Sequence, residues 1–123
     1  MSRAPHIPGR TARPPEGSIA PGLDEGFALY DAGYFWEAHE AWEPVWMDLP
    51  PNAPEKAEMA ALIQLANARL KLVMGKGRAV ARILPMVDDH LARAGAGAHV
   101  AWARGERESL ADALAKFMQD NAQ

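Results

Sequence analysis

The segment from Pro54 to Gly75 constrains this chain more than any other. It carries a helix-starting proline, two glutamates in its first turn (Glu55 and Glu58) and a terminating glycine. Between them, Met59, Leu62, Ile63, Ala66, Leu70 and Val73 recur at helical spacing and define one apolar face. Ala61, Leu65, Ala68 and Leu72 carry the apolar surface around the back, leaving Gln64, Asn67 and Lys71 as a polar strip. A helix this apolar is expected to be central in a bundle or to lay its second face against another subunit. The second option makes a homo-oligomer the expected partner arrangement.

The rest of the chain punctuates itself in the same way. A first helix is expected over 24–32, with Phe27 and Tyr30 inward and Gly33 as its stop. A second should run from 34 or 35 to 47, ending before Pro50 and Pro51. Pro44 lies inside it, and its missing N–H predicts a kink or a split into two pieces. Asn52 is placed to cap the third helix, over 54–74. A fourth is expected from 76 or 77 to 94, with Val80, Ile83, Leu84, Val87 and Leu91 inward and Pro85 bending it. After a Gly/Ala connection, a fifth should cover 106–118 using Leu110, Ala113, Leu114 and Phe117. No β-type alternation and no internal repeat competes, so the fold class is all-α: an antiparallel bundle of about five helices.

Residues 1–22 read as a separate arm, extended or disordered, ahead of a single helical domain over 23–123. Five of the chain's ten prolines lie there, with almost nothing apolar, and a solvated tail is the expectation. Those prolines also break the apolar run of a signal peptide and oppose an amphipathic transit helix. No stretch approaches the ~20 apolar residues of a membrane span. Cysteine is absent, which excludes disulfides and thiolate metal sites and agrees with a cytoplasmic location. The formal net charge of −3 gives no general attraction for nucleic acid or anionic membrane, so neither is an expected partner.

The polar residues that stand out lie in the second helix, in Phe35-Trp36-Glu37-Ala38-His39-Glu40-Ala41-Trp42-Glu43-Pro44-Val45-Trp46. His39 falls within the apolar stripe and Glu43 follows one turn later on the same side. That spacing permits a carboxylate–imidazole hydrogen bond, and equally permits both to ligate one divalent metal. Glu40 projects about 100° away and joins the pair only if the helix turns at Pro44. Glu37 points to the opposite side and is expected to be solvated. The metalloprotease signature is absent, because it needs a second histidine at position 43. Gln64, Asn67, or His90 with Asp88 and Asp89, are the side chains another helix can bring to the cluster. His90 by itself reads as exposed helix surface.

Two readings of the cluster are open. In one, His39 and Glu43 satisfy each other beneath Trp36, Trp42 and Trp46, with Gln64 completing the network, in a non-enzymatic binding or structural protein. Trp36, Trp42, Trp46, Gln64 and Asn67 are then the binding candidates. In the other, His39, Glu43 and Glu40 serve a metal-assisted or acid–base hydrolase, with His39 and Glu43 as metal ligands. The Gly75-Lys76-Gly77-Arg78 turn lacks a P-loop's length and its Lys-Ser/Thr ending, and reads as a plain interhelical turn.

At these residues the chain resembles a known family. Phe27, Gly33-Tyr34-Phe35, Glu37-Ala38-His39-Glu40, Trp42-Glu43 and Trp46 are similar to the first signature block of domain-of-unknown-function family 309. The apolar helix around Leu62-Ile63-Gln64-Leu65-Ala66, the glycine turn after it and Ala79 resemble the second block. The resemblance spans roughly 23–91 and implies an up-and-down helical bundle with no established activity. It also implies that His39, Glu40, Glu43 and Gln64 are the signature polar positions. The chain departs from that pattern at Tyr30, where an asparagine is usual, at Gly77, often asparagine, and at Pro44.

Overall fold

The computed structural model describes residues 3–122 and contains five helices and, among the described residues, no strand. They are α1 (Leu23–Asp31), α2 (Phe35–Asp48), α3 (Pro54–Val73), α4 (Gly77–Ala94) and α5 (Val100–Asp120). Consecutive helices pack on one another, and α5 returns to lie on α3 as well. No helix among the described residues is long and apolar enough to cross a membrane.

Two of the turns close by the same device. Gly33 (φ 88°) and Gly75 (φ 75°) take the left-handed conformation that an L side chain resists. Each lets the next residue reach back across the helix end: Tyr34 N–H donates to the Leu29 carbonyl at 2.8 Å, and Lys76 N–H to that of Lys71 at 2.9 Å. This 6→1 bond, with the 5→2 bond from each glycine, satisfies carbonyls that would otherwise end unpaired.

The core is built around α3. Leu62, Leu65, Ala66 and Ala68 are fully buried, together with Trp42 of α2, Val80, Val87 and Leu91 of α4, and Leu110 of α5. Burying each large aliphatic side chain contributes roughly 1.5–3 kcal/mol. Of the face of α3 expected to be central or to meet another subunit, Leu65 and Ala68 are covered by helices of the same chain, while Leu72 is only partly buried. An aromatic cluster closes the bundle between α1 and α5, with Phe27 edge-on to Trp42 and Trp102 at 5.1 Å each, and Tyr30 against Trp102 at 5.4 Å.

Several expectations are corrected. Helix α2 is not split at Pro44; α4 continues through Pro85, where a bend and not a break is expected. Both prolines lie on exposed faces, where packing on the opposite side holds the helix across the missing hydrogen bond. The residue capping α3 is Ala53, not Asn52, and no side chain serves as the cap. Helix α5 begins at Val100, six residues before the expected 106. Its first turns are fixed by tertiary contacts: Val100 and Ala103 enter the core, and the buried Glu58 of α3 accepts the His99 N–H at 2.7 Å.

The arm forms no helix or strand over its described residues, but it is not a solvated tail. It folds back on α2. His6 is only 6% exposed and lies edge-on to Trp36 at 4.7 Å, and its N–H donates to Glu37 Oε2 at 2.9 Å. Tyr34 Oη donates to the Arg3 carbonyl at 2.6 Å, and the Arg13 guanidinium lies 5.6 Å from the Trp36 ring centre. Glu37 is therefore fully buried, against the solvated position expected of it, because the arm covers the face of α2 that helical phase alone turns outward.

Candidate functional site

Helix α2 distributes its polar and aromatic residues to three different places. Trp42 goes inward: it is fully buried, and its indole N–H donates to the Leu23 carbonyl at 3.0 Å. It is a core residue and lines no cavity described here. Trp36 faces the arm, where with Arg13, Pro14 and Glu40 it borders a hollow of about 560 Å³. Trp46, half-buried, lies one turn beyond Trp42 and forms a wall of a cleft toward α3 and α4.

His39 lies on that cleft, between two carboxylates. Its Nδ1 is 3.2 Å from Glu40 Oε2 and its Nε2 is 3.4 Å from Glu43 Oε2. Both ring nitrogens can donate at once only in the imidazolium form, so the neutral ring serves one carboxylate at a time. Glu40 reaches the ring without any break in α2, because a neighbouring side chain can fold across to Nδ1. It faces the arm-side hollow while Glu43 faces the cleft, so His39 bridges the two. The His39 side chain keeps 23% of its exposure and Glu43 48%, so the pair is reachable from solvent.

The cleft has a volume of about 360 Å³, enough for a small organic molecule. Helix α3 gives it an apolar floor, Ala60 and Ile63, and a pair of amides, Gln64 and Asn67. Asn67 Nδ2 donates to Gln64 Oε1 at 3.5 Å, so Gln64 pairs with its neighbour on α3. It does not complete a network around His39.

Helix α4 adds His90, which sequence could name as a contributor but could not place. The Arg93 guanidinium lies 2.7 Å from His90 Nδ1. A guanidinium only donates, so Nδ1 accepts, and the proton of the neutral ring sits on Nε2. Burial, and secondarily the Arg93 charge, pull the His90 pKa below its ordinary value, with Asp89 opposing in part. Asp88 is not part of this site; it binds Arg107 of α5 through two bonds of 2.9 Å.

Among the described residues no group of three or more His, Asp or Glu side chains is arranged to hold a metal ion. His39 and Glu43 together offer two ligands, and the amides of Gln64 and Asn67 are weak ones.

A second polar cluster escaped the sequence reading. Tyr30 Oη donates to Glu106 Oε1 at 2.5 Å, and Arg69 reaches the same oxygen through Nη2 at 2.7 Å. Burial raises the Tyr30 pKa well above the usual phenol range, and the Glu106 hydrogen bond adds to it. Burial lowers the Arg69 pKa, but its bonds to Tyr30 and Glu106 outweigh that and leave it raised. The cluster ties α1, α3 and α5 together and borders none of the cavities described here. Its one sequence signal was Arg69, a cation in the middle of an apolar helix.

Fold and site together define a small all-helical protein with an open, mixed-polarity cleft between its second, third and fourth helices. Through residues 23–83, from α1 into the first part of α4, the chain belongs to the family described as Domain of unknown function (DUF309). His39, Glu40, Glu43, Gln64 and Asn67 lie within the matched residues, and His90 lies beyond them. No curated protein and no solved structure matches this chain.

Proposed function

We infer that this domain is a binding module that takes a small ligand in the cleft between α2, α3 and α4. One observation supports this above the others. His39, Glu43, Gln64, Asn67 and His90, from three helices, line a single open cavity whose floor and wall, Ile63 and Trp46, are apolar. Apolar surface with a few convergent polar groups is the usual composition of a ligand site. The test is protein-observed NMR against a set of small amines, acids, amides and flat aromatics. Saturable shifts at the Trp46 indole and the His39 and His90 rings, lost when Ala60→Phe fills the floor, are expected. Shifts that map elsewhere, or survive Ala60→Phe, remove the reading.

A second reading, an acid–base hydrolase, is supported by the placement of His39 between two carboxylates, an arrangement able to hold and pass a proton. Its test is hydrolysis of ester and phosphoester panels by the purified chain. Turnover must disappear in both His39→Ala and Glu43→Gln; activity retained in either variant sinks it.

A further inference from the structure

The cleft does not end at Trp46. A neighbouring hollow of about 410 Å³ abuts it, and the two share Trp46, Ala60 and His90 as common lining. Their charges are opposite. On the His39 side, Glu43 lines the cleft and Glu40 lies behind the ring, and no lysine or arginine is among the lining residues. Two carboxylates against one imidazole leave that end net negative whether or not the ring carries a proton. On the far side Lys56 and Arg93 line the hollow, and no acidic residue does. The Lys56 ammonium is held 4.3 Å from the Trp46 ring centre and donates to the Leu49 carbonyl at 3.1 Å. That placement fixes a positive charge beside the shared wall.

Resting on the reading of the cleft as a ligand site, we propose that the two hollows form one groove for a zwitterion. Its ammonium end lies at Glu43, its carboxylate end at Lys56 and Arg93, and a short hydrocarbon or peptide body crosses Trp46 and Ala60. A purely anionic ligand places one end against uncompensated carboxylates, and a purely cationic one leaves Lys56 and Arg93 unmatched. A ligand with both charges answers each end, and the apolar middle accounts for its body. His90, whose Nδ1 is already taken by Arg93, offers its Nε2–H to the middle of the groove.

The experiment is calorimetry and NMR titration of the full chain with ω-amino acids of increasing length: glycine, 4-aminobutanoate, 6-aminohexanoate and 8-aminooctanoate. Hexylamine and hexanoate serve as single-charge controls. At low salt one length in the series is expected to bind at least tenfold more tightly than either control. Glu43→Gln should weaken it toward the hexanoate value and Lys56→Met toward the hexylamine value. Both changes are at the solvent-reached rim, and an unchanged thermal melt confirms that the fold is kept. Controls that match or exceed every amino acid overturn the zwitterion assignment. If those controls still shift Trp46 and His39, the binding site survives and only the ligand class falls. If no probe shifts these groups while the fragment set of the preceding test does, the ligand class again falls alone; silence in both experiments removes site and ligand together.

Discussion

The backbone N–H of His6 donates to Glu37 Oε2 across 31 residues of chain, and this bond is made inside the protein. Glu37 is fully buried and its other oxygen, Oε1, has no hydrogen-bond partner. Removing the carboxyl leaves a buried N–H without an acceptor, at about 1–3 kcal/mol. Glu37→Leu should therefore loosen the arm, whereas Glu37→Gln, which retains a carbonyl acceptor, should hold it. Limited trypsin digestion reads this at Arg10, ahead of Thr11, since the proline after Arg13 blocks cleavage there. Several-fold faster arm cleavage in Glu37→Leu, with the helical domain intact, is expected. Equal rates in wild type and both variants would show that the bond does not hold the arm.

Gly26 of α1 lies against the indole of Trp42. A methyl group there would come within 2.1 Å of Nε1, and the ring is fully buried and hydrogen-bonded to Leu23. Alanine is the better helix former by roughly 1 kcal/mol. Overpacking against a ring that cannot move aside costs ~1–3 kcal/mol or more, and outweighs that gain. Gly26→Ala should lower the urea midpoint without changing the slope. A midpoint equal to or above wild type would mean that α1 shifts freely over α2.

Tyr30, Arg69 and Glu106 form a cluster whose ion-pair partners keep 20% and 18% of their side-chain exposure. Glu106→Ala strands a largely buried guanidinium, and after allowance for that residual solvent contact ~2–3 kcal/mol of stability should be lost. The raised phenol pKa also sets a sign. The neutral form is favoured in the folded state, so this stabilisation is whole below about 10 and declines as pH rises above it. The Tyr30 share of the absorbance change at 295 nm should then coincide with alkaline unfolding. Tyr30 ionising in the folded protein near pH 10 would contradict the burial argument.

What the sequence disclosed follows from how local each cause is. Gly33, the Pro50-Pro51 pair, Pro54 and Gly75 act on their own backbone, so α1 to α4 were legible to within a few residues. The start of α5 was not. Val100 and Ala103 are helical because they meet the core and because Glu58, forty-one residues earlier, holds the His99 N–H. The docked arm depends in the same way on distant partners, Glu37, Tyr34 and Trp36. The i, i+4 placement of His39 and Glu43 was visible, and so was the polar strip of Gln64 and Asn67. Their meeting with His90 depends on how α4 packs on α3, which no spacing encodes. The tryptophans show the limit of periodicity most clearly. Trp36, Trp42 and Trp46 share one helix, yet one meets the arm, one the core and one the cleft.

His90 should bring a pH dependence to stability and to binding in the groove. Its pKa lies below the ordinary histidine value of about 6.5, first because of burial and then because of the Arg93 charge. A depressed value means that the unfolded chain takes up the proton first. The stabilising contribution is therefore complete above about 6.5 and is lost as pH falls toward the folded value. Protonation also turns Nδ1 into a donor and sets an imidazolium against the Arg93 guanidinium at the shared wall of the two hollows. A proton NMR titration should place the His90 midpoint below 6.5, and Arg93→Ala should raise it part of the way back, since burial remains. Ligand affinity in the groove should weaken over that same interval. A midpoint at or above 6.5, or one that Arg93→Ala leaves in place, would mean that His90 is solvated and takes no part in the wall.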